Sequence, residues 1–235
     1  MTALPKLKLP AAQRELANGE PRSQPRSAEQ RLALYNIDWR TYQALGEAQK
    51  YQRFFLSYDR GALEIMVLGN LHEWYKDRFA YLITALAEGL DRQIESYGSS
   101  THQREDLQRG VEPDQCFYVA NFKRVHGPRE IDLTRDPPPD LVLEIEISRS
   151  LVSRLGILEA LGVPEVWRFD GQTLTVLLLR KGKYQESVRS LAFPEVPVAR
   201  LPEFLPIGQN EGIAAMARAV RQWARGLKTG KKKRK

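Results

Sequence analysis

Cysteine is almost absent from this sequence, because Cys116 is the only one among 235 residues. A single thiol excludes an intramolecular disulfide and any zinc site built from several cysteines. Cys116 begins the apolar run Cys-Phe-Tyr-Val, so we expect it to be a buried thiol in the core.

Long apolar runs are missing as well. No stretch approaches the roughly 18 consecutive apolar residues that a membrane-spanning helix requires. The first residues, Met-Thr-Ala-Leu-Pro-Lys-Leu-Lys-Leu-Pro, lack the apolar core of a secretion signal. We therefore expect a cytoplasmic protein without a membrane partner.

Positive charge is concentrated at the two ends of the chain. The net charge is +7; residues 1–31 contribute +3 and residues 228–235 contribute +6, which leaves about −2 for the residues between them. A basic C-terminal tail could bind phosphates without sequence preference, because each neutralised phosphate releases counterions. A solvated terminus with no ligand is an equally good interpretation. The candidate nucleic-acid contacts in this tail are Lys231, Lys232, Lys233, Arg234 and Lys235.

The composition indicates one domain with a tail at each end. Residues 1–30 are rich in proline, arginine, glutamine and serine and show little apolar periodicity, which predicts a flexible leader. Residues 31–227 are long enough to enclose a single core, and we expect them to form the folded domain. The basic tail then occupies residues 228–235.

Apolar periodicity predicts strands and helices in alternation. Residues 54–67 read as a β-hairpin around the turn Asp59-Arg60-Gly61, and apolar residues spaced by three and four predict a long helix over 71–94, with Asn70 as its N-cap. Strands are predicted over residues 114–119 and 141–147.

The C-terminal half contains further turn and cap signals. A short helix through Leu161, capped by Ser148 or Ser150, should end at Gly162 and Pro164. Two antiparallel strands flank the Asp170-Gly171 turn, a proline-rich extended segment covers residues 191–207, and a helix covers residues 213–227.

Three carboxylates stand out on the predicted strands. Side chains alternate along a strand, so Glu144 and Glu146 share one face. Burying two unpaired charges is costly, and a hard divalent cation with oxygen ligands would offset that cost. Asp114 opens the preceding strand 30 residues earlier, where it could face the same metal. The alternative is an edge strand whose acidic face simply meets water.

Four runs of sequence carry a resemblance to a known family. Residues 58–66, 110–118, 137–148 and 161–168 resemble, in this order, the motifs of the Uma2 family, and the similarity covers roughly residues 50–205. The resemblance implies an α/β fold of the restriction-endonuclease-like, PD-(D/E)XK type, with a central mixed β-sheet flanked by α-helices. It also implies a metal-dependent nuclease.

The same resemblance implies roles for individual residues. Asp114 and Glu144 match the two acids of the motif and would bind Mg²⁺ or Mn²⁺. Glu146 stands at the third position, where the superfamily has lysine, and would help to position the attacking water. In this family a lysine on the following helix supplies the cation; no lysine lies between Ser148 and Leu161, so we expect Arg154 to stabilise the transition-state charge. Arginine does not release its proton at physiological pH.

Three further residues are candidate accessory groups. His72 and Glu73 begin the long helix, where the family often has a His-Glu pair, and His72 borders the apolar face of that helix. Glu64 lies on the hairpin. The alternatives are favourable polarity at a helix N-terminus for the pair and a solvent-facing position for Glu64.

The leading functional interpretation is an endonuclease that hydrolyses DNA with Mg²⁺ or Mn²⁺. The missing lysine favours an alternative, a weak or inactive DNA-binding or regulatory protein that retains the nuclease fold. A third interpretation is an interaction protein that uses only its tails. A homodimer is expected as well, because many nucleases of this fold pair to cut both strands.

Overall fold

The computed structural model describes residues 29–49 and 54–232, with side chains up to residue 228. Its strands are β1 (Gln30–Leu34), β2 (Phe55–Asp59), β3 (Ala62–Val67), β4 (Glu95–Gly98), β5 (His102–Arg104), β6 (Arg109–Val111), β7 (Gln115–Tyr118), β8 (Leu141–Ile145), β9 (Glu165–Phe169), β10 (Leu174–Arg180) and β11 (Lys183–Ser187). Its helices are α1 (Trp39–Gln49), α2 (Asn70–Gly89), α3 (Phe122–Val125), α4 (Arg154–Ala160), a 3-10 helix (Val198–Phe204), α5 (Leu205–Asn210) and α6 (Ile213–Lys232).

The strands form two sheets. The five-stranded sheet has the order β1-β3-β2-β6-β5 and is antiparallel, whereas the six-stranded sheet has the order β11-β10-β9-β8-β7-β4. In the second sheet β8 and β9 are parallel and the other pairs are antiparallel, so this sheet is mixed. A parallel pair needs a crossover connection, which α4 supplies. The predicted α/β class with a mixed sheet is confirmed.

Helices cover both faces of the six-stranded sheet. Leu141, Leu143 and Ile145 belong to the larger core, which α2 and α6 share with the sheet. Val142 belongs to the second core on the opposite face, beneath α4. A third, aromatic-rich core lies between α1 and the five-stranded sheet. Because both faces are covered, every residue of β8 is buried.

The predicted hairpin is confirmed as β2 and β3. Its turn residues Arg60 and Gly61 have φ of 48° and 92°, and two positive φ values give a turn whose twist matches that of the strands. The predicted long helix is confirmed as α2, but Gly69 precedes it and Asn70 is its first residue, so the predicted asparagine cap is wrong. The helix also ends at Gly89, before the predicted limit.

The segment that follows β8 corrects two predictions. The strand stops at Ile145 rather than at residue 147. The cap of α4 is Ser153, whose Oγ accepts the N–H of Gly156 at 3.1 Å, and not Ser148 or Ser150, whose hydroxyls donate to carboxylates instead. The predicted end of this helix is confirmed, since Gly162 has φ of 76°.

Two other predictions differ from the structure. Residues 191–207 contain the 3-10 helix and the start of α5 rather than an extended segment, and Pro206 lies in the first turn of α5, where its missing N–H costs nothing. Gln30 already begins β1, and residues 1–28 of the predicted leader lie outside the described residues. No helix in the described part of the chain is long and apolar enough to cross a membrane.

Candidate active site

A cavity of about 320 Å³ opens where β7 and β8 meet the start of α2 and the 148–153 loop. Its lining includes most of the predicted site residues. The polar side chains in the lining are those of Arg31, His72, Asp114, Glu144, Glu146, Arg149, Ser150, Ser153, Arg154 and Arg168.

Asp114 is fixed at the bottom of this cavity. Residues Gln115 and Leu143 are partners in the β7–β8 ladder, so one step further along the register Asp114 faces Glu144. Its Oδ2 accepts the N–H of Ile145 at 2.7 Å, and its Oδ1 lies 2.9 Å from Nε2 of His72. Burial raises the pKa of Asp114, but the hydrogen bond and charge of His72 outweigh it and hold the pKa below its ordinary value.

His72 bridges two carboxylates. Its Nε2 contacts Asp114, and its Nδ1 contacts Oε1 of Glu29. Burial of the ring lowers its pKa, but the hydrogen bonds and charges of the two acids raise it to about 9. His72 is therefore an imidazolium at neutral pH, with both ring nitrogens acting as donors.

Arg154 holds the second acid. Its Nε donates to Oε2 of Glu144 at 2.7 Å and its Nη2 donates to Oε1 at 3.0 Å, which is the two-pronged geometry typical of arginine and carboxylate. The same guanidinium donates to Oγ of Ser57 and to the carbonyl of Glu112, both at 2.8 Å. Burial raises the pKa of Glu144 to about 7, with Arg154 opposing the rise and Asp114 adding to it.

Glu146 and two arginines stand at the mouth of the cavity. The side chain of Glu146 is 38% exposed, and its carboxylate lies 3.7 Å from Nη1 of Arg168. Arg149 is exposed. Glu146 thus faces the same cavity as Glu144, as the strand alternation predicted, but it is in contact with solvent because β8 has already ended.

This geometry occurs in a chain whose sequence matches a family model over residues 39–217, about three quarters of its length. The family is Uma2, described as "Putative restriction endonuclease". The chain belongs to the Uma2 family. No curated protein matches it significantly. The family description points to nuclease function for this Uma2 chain.

Of the accessory candidates, Glu64 supports the site from outside. Its carboxylate accepts from the hydroxyl of Ser150 and the N–H groups of Leu151 and Val152, and it pairs with Arg31 at 2.5 Å. Glu64 therefore fixes the loop that forms one wall of the Uma2 cavity.

The structure does not bring Glu73 into the cavity. Its half-exposed side chain pairs with Lys76 at 3.7 Å and faces a different groove. Adjacent helical residues point about 100° apart, so when His72 faces the cavity Glu73 cannot.

Sequence reasoning missed the contribution of β1. Arg31 donates to Oγ of Ser148 at 2.9 Å and to Glu29 at 3.1 Å, and Glu29 in turn accepts from His72 and Ser148. Both residues precede the span that the Uma2 model matches. The polar composition of this segment gave no signal of a buried role.

The helix α6 extends to Lys232, so the first residues of the basic tail are helical, and they lie far from the cavity. Ion pairs join Arg221 to Glu88 and Lys228 to Asp91, so the C-terminal part of α6 lies beside the C-terminal end of α2. His72 lies near the other end of α2, at its start. From His72 to Gly89 the helix axis advances roughly 25 Å. The side chains of Lys231 and Lys232, and residues 233–235 entirely, lie outside the described part of the chain.

Two carboxylates of the Uma2 site offer the oxygen ligands that a hard divalent cation prefers. Asp114 and Glu144 each accept two hydrogen bonds, and an ionised carboxylate offers about four acceptor sites, so both retain lone pairs. No group of three or more histidine, cysteine or acidic side chains is arranged as a metal site among the described residues. A cation here would depend on water or phosphate oxygens for the rest of its shell, as Mg²⁺ commonly does. The charges of His72 and Arg154 oppose its binding.

Proposed function

We propose that this protein is an endonuclease that hydrolyses DNA phosphodiester bonds in the cavity, with Mg²⁺ or Mn²⁺ held by Asp114 and Glu144. The observation that carries the proposal is the convergence of Asp114, Glu144 and Arg154, from three separate segments of a Uma2 chain, on one cavity. When bound, the metal ion would polarise the phosphate and lower the pKa of a coordinated water.

His72 is the group that prepares Asp114 for this role. One oxygen of Asp114 is held by the imidazolium and the other by the N–H of Ile145, so the carboxylate has a fixed orientation before any ligand arrives. Glu29 holds the opposite side of the His72 ring. Fixed polar groups of this kind avoid reorganisation during the reaction.

Arg154 acts mainly by positioning Glu144. A guanidinium has five N–H donors, and four of those of Arg154 are directed at Glu144, Ser57 and the carbonyl of Glu112. One N–H is left for a phosphate oxygen. Stabilisation of the transition-state charge by Arg154 is therefore limited to a single contact.

Glu146 is the candidate for placing the attacking water. It lines the cavity beside Glu144, and among the described residues its carboxylate has only the 3.7 Å contact with Arg168, so its oxygens are accessible to water. A carboxylate within hydrogen-bond reach of a water can orient it and accept its proton.

A second candidate function is DNA binding without hydrolysis. It is favoured by the occupation of both Glu144 oxygens by Arg154 and by the absence of lysine from the described lining of the cavity. Unlike lysine, arginine does not take part in proton transfer near neutral pH.

Conversion of supercoiled plasmid to nicked and linear forms separates the two candidates. Wild type, Glu144→Gln and the surface control Glu203→Gln are compared at low salt with Mg²⁺, Mn²⁺ or chelator. The proposal predicts metal-dependent cleavage by wild type and by Glu203→Gln, and none by Glu144→Gln. Plasmid binding without cleavage by wild type would support the second candidate.

Two further features stay predictions. A homodimer would bring two cavities to opposite strands, and sedimentation analysis at micromolar concentration would detect it. A cytoplasmic location is the second prediction, because the proposed substrate is DNA inside the cell.

A further inference from the structure

The cations around the cavity fall into two classes. The buried ones are satisfied by protein: Arg154 is paired with Glu144, His72 with two acids, and Arg31 with Glu29 and Glu64. The mouth arginines, Arg149 and Arg168, are not satisfied in this way. This difference indicates that the two classes serve different purposes.

Arg149 is available to a ligand. It lines the cavity and is exposed, and within residues 29–49 and 54–232 no ion pair or hydrogen bond involves its guanidinium. It lies in the loop whose neighbouring N–H groups are bound by Glu64, so its backbone position is fixed. A fixed backbone with an unpaired guanidinium is suited to bind an anion.

Arg168 is placed by the sheet itself. Its Cα is the partner of the Cα of Glu144 in the parallel β8–β9 pairing, and its neighbours Trp167 and Phe169 are buried on the opposite face. Arg168 therefore projects on the same face as the acids. Its ion pair with Glu146 spans 3.7 Å, which is beyond hydrogen-bond length, and no other described residue accepts a hydrogen bond from its guanidinium.

We propose that Arg149 and Arg168 bind the phosphate backbone of a nucleic acid at the mouth of the cavity, and so position the strand over Asp114 and Glu144. The ligand chemistry is a phosphodiester, which guanidinium groups bind through paired N–H donors. The assignment of the strand to DNA rests on the proposed function. Glu146 competes with the backbone for Arg168 and weakens binding.

The test is the affinity of a fluorescein-labelled DNA duplex, measured by anisotropy in chelator so that metal-dependent cleavage cannot occur. The variants are Arg149→Gln, Arg168→Gln, their double variant and Arg168→Lys. The control is Arg200→Gln, because Arg200 is a surface arginine on the 3-10 helix, where it pairs with Glu203 and lies over the ring of Trp223.

We expect each single variant to bind roughly three- to tenfold more weakly and to lower the slope of log affinity against log salt by about one. The double variant should lose both contributions, Arg168→Lys should retain most of the affinity, and Arg200→Gln should match wild type. Glu146→Gln should bind severalfold more tightly, because it releases Arg168 and removes a negative charge.

The proposal would be overturned if the double variant bound the duplex with the affinity of wild type and with the same slope of log affinity against log salt. It would also be overturned by displacement of the duplex from wild type by inorganic phosphate at concentrations at which sulfate has no effect, since that would assign the arginines to a free phosphate. Because no cleavage is measured, a chain that binds through these arginines but never cuts DNA would sustain this inference while refuting the proposed nuclease.

Discussion

Each of the two innermost acids has its own cation, and this pairing explains how both can be buried. Asp114 is matched with His72 and Glu144 with Arg154. An unpaired charge in such a place would cost several kcal/mol, on the order of the stability of a whole domain. The same pairing makes the cations competitors of any metal ion.

Replacing Arg154 should therefore lower the free energy of unfolding, because the buried carboxylate of Glu144 loses its counter-ion. Arg154→Gln leaves that carboxylate without its counter-ion, and the free energy of unfolding should fall by about 3–5 kcal/mol in urea titrations. Arg154→Lys keeps a positive charge and should lose less. Mn²⁺ should stabilise Arg154→Gln more than wild type, because a bound ion stabilises the state that binds it. Equal stability of Arg154→Gln and wild type, with no effect of Mn²⁺, would contradict this account.

The burial of His102 should make the free energy of unfolding decrease at acid pH. Its ring is buried beside Cys116, with Nε2 at 3.3 Å from Sγ, and burial lowers its pKa to about 4. The ordinary histidine pKa is near 6.5, so as the pH falls the unfolded chain takes up the proton first. The contribution of His102 is complete above about pH 6.5 and is lost as the pH falls toward 4.

When the pH is lowered from 7 to 5, we expect protonation of His102 in the unfolded chain to decrease the free energy of unfolding by about 2 kcal/mol. The measurement is urea unfolding at both pH values for wild type and His102→Gln. Other groups titrate in this range, and the difference between the two proteins isolates His102. The same pH dependence in both would show that the ring is not responsible.

At the level of elements, the local spacing of apolar residues is sufficient to predict a helix or strand that is long and buried on one face or on all sides. The sequence predicts the β2–β3 hairpin, α2 and β8 because their apolar spacing is regular. Side-chain alternation correctly assigns Glu144 and Glu146 to one side, although β8 ends at Ile145, before Glu146. Strands β4 to β6 are short and polar, so the local sequence does not predict them, and they form because they pair with neighbouring strands.

The parts of the site that sequence missed are set by pairing between distant segments. The register that places Arg168 beside Glu144 depends on the parallel β8–β9 pair, which no local pattern shows. Glu29 joins the site because β1 pairs with β3. In contrast, Asp114 and Glu144 are candidates from the sequence alone, because each acid adjoins or lies within an apolar strand.

The packing of α2 against α6 gives a test at this scale. A Cβ added at Gly89 would lie 2.6 Å from Cβ of Ala224 and 2.8 Å from the carbonyl oxygen of Arg221, so the two helices would have to separate. Gly89→Ala should lower the free energy of unfolding by about 1–3 kcal/mol.

The matched control is Gly46→Ala in α1, where an added Cβ would meet no atom of the described residues within 4 Å. Alanine is the better helix former, so this variant should be up to about 1 kcal/mol more stable than wild type. Chemical unfolding measures both. A stabilising Gly89→Ala would mean that the helices do not approach as closely as the structure shows.

For the whole molecule, the start of the basic tail and the candidate active site lie in different places. The cavity is near the start of α2, whereas the basic tail begins within the last turns of α6, beside the C-terminal end of α2. Lys228, the first residue of the basic tail, pairs with Asp91 just after α2 ends, away from the cavity.

Neutralising the tail should separate its contribution to DNA binding from any contribution to the cleavage rate. Replacing Lys231, Lys232, Lys233, Arg234 and Lys235 with glutamine lowers the formal net charge from +7 to +2. We expect weaker DNA binding and a shallower salt dependence, with an unchanged cleavage rate at saturating DNA. A reduced rate at saturation would assign the tail a part in the reaction.

The central claim is that Asp114 and Glu144 form the nuclease site, and single-turnover cleavage of an end-labelled duplex at saturating protein tests it most directly. Wild type, Asp114→Asn and Glu144→Gln are compared with Mn²⁺ and with chelator. The account predicts cleavage by wild type only with metal, and a loss of at least about 100-fold in rate for each variant. Metal-dependent cleavage at the wild-type rate by both variants would contradict it.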